Sequence, residues 1–502
     1  MTYFLSSREG QLFGSFRYPY AIVEHSISPD AGAAAARGFA QKQSAEVPED
    51  FEEVEASVDV AYQASSFIHE TRHFYDQFGT SAGISLFQNF IDILKNFYAA
   101  AARIKADGNG WQWPDGKWVA QKNTPAEVRR LIWNVRAFRQ GSEVLLGAFA
   151  PLEVDGHIDD IITEAVTKNG LTVDLAPIRI FAGSRGGRSV AKTILYPLGF
   201  EVLFEANAHA ITRTFVEASF SKKVADSLTH DHVVIETKKG ECPDFAHQIL
   251  PYMVVDRLIS KYLRAKGKNK FQRDMVLGVV DEVLSRSYLI IEYVSDTDRR
   301  IEVPRFGRLI EDVFAQTPID DLVAGTVPAG DLVTRSYQAL LQSFEQGGDW
   351  QTVEDDRSLM SSICIWESYV AQHFIVPLLR QRLATEHRAF RSSAGLEELL
   401  QELPPPIVAS GGRMKIDLPE PVFFAWASVL MAWQLAQSIG VRDTVLCPRA
   451  FPTVPGLSDV SFSRKYYCDD YVSIGCGKFD GVTIENTPCM FVDLLREVGF
   501  IP

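Results

Sequence analysis

The residues best suited to chemistry are two histidines and a glutamate that lie close together, His69, Glu70 and His73, in the pentapeptide H-E-T-R-H. Residues four apart lie on one face of a helix, so the two histidines can present their imidazole nitrogens to one metal ion. Glu70 would flank that metal and accept a proton from a water molecule whose pKa the metal lowers. The motif therefore predicts a zinc peptidase with Glu70 as its general base.

The sequence around the motif favours a helix. Acidic residues are frequent after Pro48, where they would suit the first turn of a helix, and no proline or glycine follows until Gly79. Gly79 is expected to end the helix because glycine can adopt the left-handed conformation that a C-terminal cap often needs. Phe67, Phe74 and Phe78 would bury the helix on either side of the histidines. The alternative is a chance occurrence of this spacing on an ordinary amphipathic helix.

A zinc site of this kind needs a third protein ligand besides the two histidines. The continuation H-E-x-x-H-x-x-G-x-x-H would supply a third histidine, but Asp76 and Gly79 stand where its glycine and histidine should be. That arrangement is therefore excluded. Asp76 is expected instead to accept a hydrogen bond from one of the ligand histidines.

The other way to complete the site is a glutamate on a separate helix. The stretch Phe200–Ser219 has a helical pattern and places Glu205 among three alanines. A carboxylate buried there would be costly unless it were paired or bound to a metal. His209 follows one turn later on the same face and is expected to orient a ligand or to stabilise a developing oxyanion. Glu201 and Asp76 are the alternatives to Glu205, and an ordinary core helix, in which Glu205 pairs with His209 or reaches solvent, is the competing interpretation.

The two motifs together, H-E-T-R-H at 69–73 and E-A-N-A-H-A at 205–210, resemble the ImmA/IrrE type of metallopeptidase, which pairs H-E-x-x-H with a later E-A-N-x-F-A helix. The resemblance implies that His69, His73 and Glu205 bind one zinc ion and that Glu70 is the base. Two features depart from the family pattern. His209 replaces the usual phenylalanine, and 132 positions separate His73 from Glu205, where the family has a short gap. The resemblance thus covers a gluzincin-like site and does not extend to family membership.

Composition narrows the function classes. The chain has 502 residues, of which 46% are hydrophobic and 23% charged, as expected for a soluble globular protein. A net charge of −14 argues against nucleic-acid binding. The one concentrated basic stretch, Lys261–Arg273, is expected to be a solvated loop between helices.

The sequence also bears on location. Its N-terminus does not have the pattern of a signal peptide, and the longest apolar run, Val422–Ala432, is too short to span a bilayer. Six cysteines in a chain of this length do not suggest a disulfide framework. We therefore expect a cytoplasmic protein without a membrane partner.

Hydrophobic periodicity predicts an α+β fold that is predominantly α-helical. We expect a zincin-like catalytic domain with a small β-sheet over 1–220, a multi-helix domain over 221–440, and an irregular or β segment over 441–502. Within the first domain, a strand pair is predicted over 11–27 and a β-hairpin over 171–198. The hairpin directly precedes the helix of Glu205, so it is the candidate for an edge strand that binds an extended substrate.

These features predict a zinc-dependent endopeptidase that holds one Zn²⁺ per chain and hydrolyses a protein or peptide substrate. The alternative is a catalytically silent zincin-like protein that serves in interaction or sensing. Glu70 discriminates between the two, since a protein that has lost catalysis often lacks the base. Its presence favours the enzyme.

Overall fold

The fold is seen in a computed structural model of the chain. The residues that it describes are 14–17, 21–25, 66–107, 124–146, 152–154, 158–166, 171–185, 188–219, 242–295, 297–353, 358–410, 413–441, 494 and 497–499. The expected helix start near Pro48 lies outside these residues, as does nearly all of the predicted C-terminal segment over 441–502.

Helices dominate the described chain, as predicted. The helix of the metal motif, α1, is described over residues 66–79. The others are α2 (Ser81–Asp107), α3 (Ala126–Leu146), α4 (Phe200–Ser219), α5 (Cys242–Ala265), α6 (Arg273–Ser285), α7 (Phe306–Gln316), α8 (Ile319–Ala324), α9 (Asp331–Glu345), α10 (Leu359–Val370), α11 (Val376–Ala384), α12 (Arg388–Arg391), α13 (Ser393–Glu402) and α14 (Glu420–Val441). Among the described residues, no helix is both long enough and apolar enough to cross a membrane.

Ten strands in the described part of the chain complete the α+β fold. They are β1 (Gly14–Arg17), β2 (Ile22–His25), β3 (Leu152–Val154), β4 (Thr163–Val166), β5 (Thr172–Arg185), β6 (Arg188–Pro197), β7 (Ile290–Tyr293), β8 (Arg299–Glu302), β9 (Ile407–Ser410) and β10 (Arg413–Ile416). In the described residues they form three sheets, with strand orders β1-β2-β9-β10, β3-β6-β5-β4 and β7-β8. The hairpins β7-β8 and β9-β10 interrupt a region that the sequence pattern predicted as helical almost throughout.

The predicted hairpin over 171–198 is confirmed as the antiparallel pair of β5 and β6. It forms the inner pair of its sheet, because β4 flanks β5 over Thr172–Leu175 and β3 flanks β6 over Thr193–Leu195. The expectation that the hairpin supplies the edge is wrong along these stretches. The outer strands are β3 and β4, and a hairpin pattern alone cannot reveal which further strands pair with it.

The strand pair predicted near the N-terminus is confirmed as β1 and β2. Strand β2 also pairs in parallel with β9, with Val23 opposite Val408, so one sheet joins the two ends of the described chain. This pairing crosses the division at residue 220 that the sequence analysis proposed. The domain boundaries themselves stay a prediction.

The turn between α1 and α2 is tight, since residue 80 alone separates the two helices. The backbone of Gly79 is not left-handed, so the expected reason for a glycine there is wrong. Its role is steric, because a Cβ at Gly79 would lie 2.6 Å from the ring of Phe390. The end of α1 is thereby packed directly against α12.

Candidate metal centre

The two histidines of the motif lie one turn apart on α1, as predicted. Their ring centroids are 4.9 Å apart and the rings are nearly perpendicular, at 86°. His69 is 1% exposed and His73 is fully buried. The pKa of His73 is lowered well below its usual range, first by burial and then by repulsion from His69 and Arg72. A neutral imidazole is the form that binds a metal.

Glu205 reaches the two histidines from α4. Its Oε2 lies 3.0 Å from His69 Nε2, and its Oε1 lies 3.6 Å from His73 Nε2. Candidate ligand atoms of all three buried residues lie within 4.8 Å of one another. The structure therefore brings together the three residues named as zinc ligands, although 132 positions separate His73 from Glu205 in sequence.

The spacing of these atoms fits a common metal ion. Two ligands about 2.1 Å from a tetrahedral zinc are separated by roughly 3.4 Å, a value that lies between the two observed distances. The two contacts use different oxygens of Glu205, so one carboxylate faces both imidazoles. This arrangement leaves the three side chains able to bind one cation.

Electrostatics favour a cation at the same place. Glu205 is 2% exposed and burial raises the pKa of its carboxyl, with His69 opposing that rise. Glu70 is fully buried on α1 beside His69. Two buried carboxylates in one cluster are unfavourable unless positive charge offsets them. A divalent ion between Glu205 and the histidines would do so.

One side of the cluster is more open than the rest. Glu201 and His209 lie one turn before and one turn after Glu205 on α4, and both are partly exposed. Tyr252 of α5 is also partly exposed. Its ring centroid lies 6.0 Å from that of His69 and 5.7 Å from that of His209. Beside the three buried candidate ligands, these side chains are the ones that solvent partly reaches.

The groups on the open side have shifted protonation equilibria. Burial, and then the charge of Glu205, raises the pKa of Glu201 to about 7. Burial, and then Glu205 and Glu70, raises the pKa of Tyr252 well above its usual range, so the phenol keeps its proton and can donate it in a hydrogen bond. Burial, and then Arg273 and Arg213, lowers the pKa of His209, which favours its neutral form.

His209 does not belong to the group of three candidate ligands found among the described residues. Its ring lies beside Tyr252, and its predicted role in orienting a ligand or stabilising an oxyanion stays a prediction. Sequence analysis missed Tyr252. Nothing in its local sequence, I-L-P-Y-M-V-V, distinguishes it from an ordinary core aromatic residue.

Asp76 has a different role from the predicted one. Its carboxylate accepts hydrogen bonds from Asn207 Nδ2, at 3.2 and 3.3 Å, and pairs with Arg72 Nη2 at 2.8 Å. The expectation that it accepts from a ligand histidine is therefore wrong. Because Asn207 lies two residues after Glu205, the contact ties α1 to α4 next to the cluster. We call this pair, Asp76 and Asn207, the helix clamp.

A buried ion network holds the far end of α1. The Nε of Arg382 donates to the main-chain oxygen of Gly79 at 2.8 Å, and its Nη1 pairs with Asp281 at 2.9 Å. Arg391 pairs with the same carboxylate at 2.7 Å. Burial alone would raise the pKa of Asp281, but the two guanidinium groups hold it at about 2. The helix that carries the histidines is thus held beside the cluster by the helix clamp and at its C-terminal end by this network.

Comparison with known proteins finds no relative of this chain. The chain matches no model of a protein family, no curated protein sequence and no solved structure. The resemblance to ImmA/IrrE metallopeptidases therefore depends only on the two motifs, at 69–73 and 205–210.

Proposed function

We propose that this chain is a zinc-dependent peptidase of gluzincin type, with His69, His73 and Glu205 as the metal ligands. The observation that carries the proposal is the convergence of these three buried side chains from two helices, with Glu70 beside them. A zinc ion, when bound, lowers the pKa of a coordinated water and polarises a carbonyl group.

The remaining chemistry falls to residues of the chain. Glu70 accepts a proton from the attacking water, whose oxygen adds to the carbonyl carbon of the peptide bond. Glu70 then returns this proton to the amide nitrogen as the carbon–nitrogen bond breaks. Tyr252 and His209 are placed on the open side, where they can donate hydrogen bonds to the carbonyl oxygen as negative charge develops.

The substrate class is proposed from the same features. Hydrolysis of a peptide bond needs both a strong nucleophile and an electrophile that polarises the carbonyl group, and the proposed metal and Glu70 would supply them. A protein or peptide is therefore the proposed substrate. Access from the side of Glu201, His209 and Tyr252 would let an extended chain reach the metal while Glu70 stays shielded from bulk water.

The test combines metal analysis with one isosteric substitution. The purified protein should contain one zinc per chain, and it should cleave members of a quenched-fluorescence peptide library. Glu70→Gln should keep the zinc and the fold but lose at least about a hundredfold in cleavage rate. Glu398→Gln, an exposed glutamate on α13, is the matched control and should cleave as the parent does.

Three outcomes are distinguishable. Absence of any transition metal from the protein refutes the metal site and the peptidase together. Equal cleavage by the parent and Glu70→Gln shows that Glu70 is not the base. Zinc binding at His69 and His73 without cleavage of any library member supports the alternative, a metal-binding interaction protein.

A further inference from the structure

A cleft of about 500 Å³ lies between α5 and the central hairpin, away from the metal cluster. One wall is α5, which contributes Arg257, Lys261 and Arg264 at positions i, i+4 and i+7, a spacing that places them on one helical face. The other wall is the sheet, where Arg179 of β5 faces the cleft. Four cationic side chains therefore line one cavity in a chain whose net charge is −14.

In the part of the chain that the structure describes, these four cations form no direct ion pair, although Asp256 lies near Arg257, and Asp159 and Asp160 lie near Lys261. Among the described residues, neither Arg179 nor Arg257 has a carboxylate within ion-pair distance. Lys261 donates to the main-chain oxygens of Ile158, at 3.1 Å, and Asp160, at 2.5 Å, which are neutral acceptors. Arg264 donates its Nε to the main-chain oxygen of Ser260 at 3.2 Å, another neutral acceptor.

The basic residues just beyond the cleft behave differently. Arg273 pairs with Asp256 at 3.4 Å and with Glu217 at 3.8 Å, and Lys268 pairs with Asp320 at 3.2 Å. All of these cations belong to or adjoin the basic stretch that sequence analysis interpreted as a solvated loop. The helical part of that stretch, Lys261–Ala265, instead forms the wall of the cleft. Arg273 and Lys268 are thus paired with carboxylates, whereas no such pair is formed by the four cations of the cleft within the described residues.

Most of the remaining lining residues are apolar. Ile158 and Ile161 are partly exposed and contribute apolar surface, whereas Ile178 and Leu258 are buried behind it. Asp159 is the single carboxylate among the lining residues. The volume lies within the range of about 300–1,000 Å³ that is typical of small-molecule sites. An occupant would need an anionic group for the guanidinium forks and an apolar part for the aliphatic surface.

We propose that this cleft binds a phosphorylated small molecule, with its phosphate at Arg179 and Arg257 and its apolar part against Ile158 and Ile161. Phosphate is the anion that suits the site best, because planar guanidinium groups bind its oxygens in pairs. Burial, opposed by Asp159 and Asp160, lowers the pKa of Lys261, and an anion in the cleft would favour the charged form of that lysine. This site is independent of the proposed peptidase.

The experiment uses the full chain and two probes at constant ionic strength, inorganic pyrophosphate and geranyl diphosphate, in isothermal titration calorimetry. Both probes should bind, and geranyl diphosphate should bind at least tenfold more tightly because it also covers the aliphatic surface. Arg179→Gln and Arg257→Gln should each raise the dissociation constant by about tenfold. Arg335→Gln removes an equally exposed arginine on α9 and is the matched control, which should bind as the parent does.

Three results would overturn the proposal. One is the absence of binding by either probe at millimolar concentration. Another is a loss of affinity in Arg335→Gln as large as that in Arg179→Gln and Arg257→Gln, which would indicate general charge attraction. Equal affinity for pyrophosphate and geranyl diphosphate would refute the apolar part of the assignment. The substituted side chains are exposed, so circular dichroism should show an unchanged fold in each variant.

Discussion

The helix clamp offers the sharpest test of how the three candidate ligands, His69, His73 and Glu205, are positioned. Asp76 lies three residues after His73 on α1, and Asn207 lies two residues after Glu205 on α4, so their contact is less than one turn from each candidate ligand. The amide hydrogen bonds of 3.2 and 3.3 Å fix the register between the two helices. Removal of the amide in Asn207→Ala should let α4 shift relative to α1.

The magnitude follows from the burial of the pair, since both residues are fully buried. Loss of a hydrogen bond to a buried charged group costs roughly 1.5–3 kcal/mol of unfolding free energy. Groups that hydrogen-bond directly to a metal ligand change metal affinity by about 10–100-fold. The clamp acts on the candidate ligands only through their helices, so we expect a loss near the lower end of this range. Asn207→Asp should be more harmful than Asn207→Ala, because two carboxylates about 3 Å apart cannot both stay ionised.

The decisive variant exchanges the partners. The double substitution Asp76→Asn with Asn207→Asp rebuilds one amide and one carboxylate across the same contact. It should bind metal more tightly than Asn207→Asp, although its stability should stay below that of the parent, because Asp76→Asn also removes the carboxylate that pairs with Arg72. A residue that mattered only for general packing would show no such rescue.

The assay is cobalt or zinc binding by the metal-free protein, in competition with a chromophoric chelator, together with urea unfolding. Thr212→Ala, which removes a buried hydroxyl from the same helix, is the matched control and should bind metal as the parent does. The reasoning is refuted if Asn207→Ala loses stability as expected yet binds metal within about twofold of the parent. In that case the position of Glu205 does not depend on the clamp.

Two further predictions concern the ligand set and the ion network. Glu205→Ala should release zinc under mild chelation far more readily than Glu201→Ala, because it removes one of the three proposed ligands. Metal retention in the two variants decides which glutamate binds the metal. Loss of metal from Glu201→Ala alone would reverse the assignment. Asp281 has a folded-state pKa of about 2, below its usual 3.8, so its ionised form contributes about 2 kcal/mol to the free energy of unfolding. This contribution is present above about pH 4 and is lost as the pH falls toward 2. Asp281→Asn should therefore flatten the stability profile over this pH range, and an unchanged slope in urea titrations would contradict the network.

Sequence patterns predicted the elements of the site well, because the relevant signals are local. The helical face of His69 and His73 follows from their spacing of four, and the bounds of α4 follow from an uninterrupted helical pattern over Phe200–Ser219. The pairing of these helices could be inferred only from the resemblance of both motifs to one family. The geometry between His73 and Glu205 agrees with that inference.

Contacts between distant parts of the chain could not be predicted from the sequence. The partner of Asp76 is 131 positions away, and the partner of Arg382 in the ion network is 101 positions away. A charged residue in a helical pattern predicts an exposed face unless its partner is known, so the buried network could not be foreseen. Tyr252 was missed for the same reason, since only tertiary structure brings α5 to the histidines.

Helix α5 contributes to both proposed sites, and its geometry shows how far they are separate. Tyr252 and Arg257 are five residues apart, which places them about 7.5 Å apart along the axis and roughly 140° apart around it. The tyrosine therefore faces the metal cluster while the arginine faces the cleft beside the sheet. The cleft and the candidate metal site therefore use different faces of one helix. A displacement of α5 by an occupant of the cleft would change the distance from Tyr252 to His69.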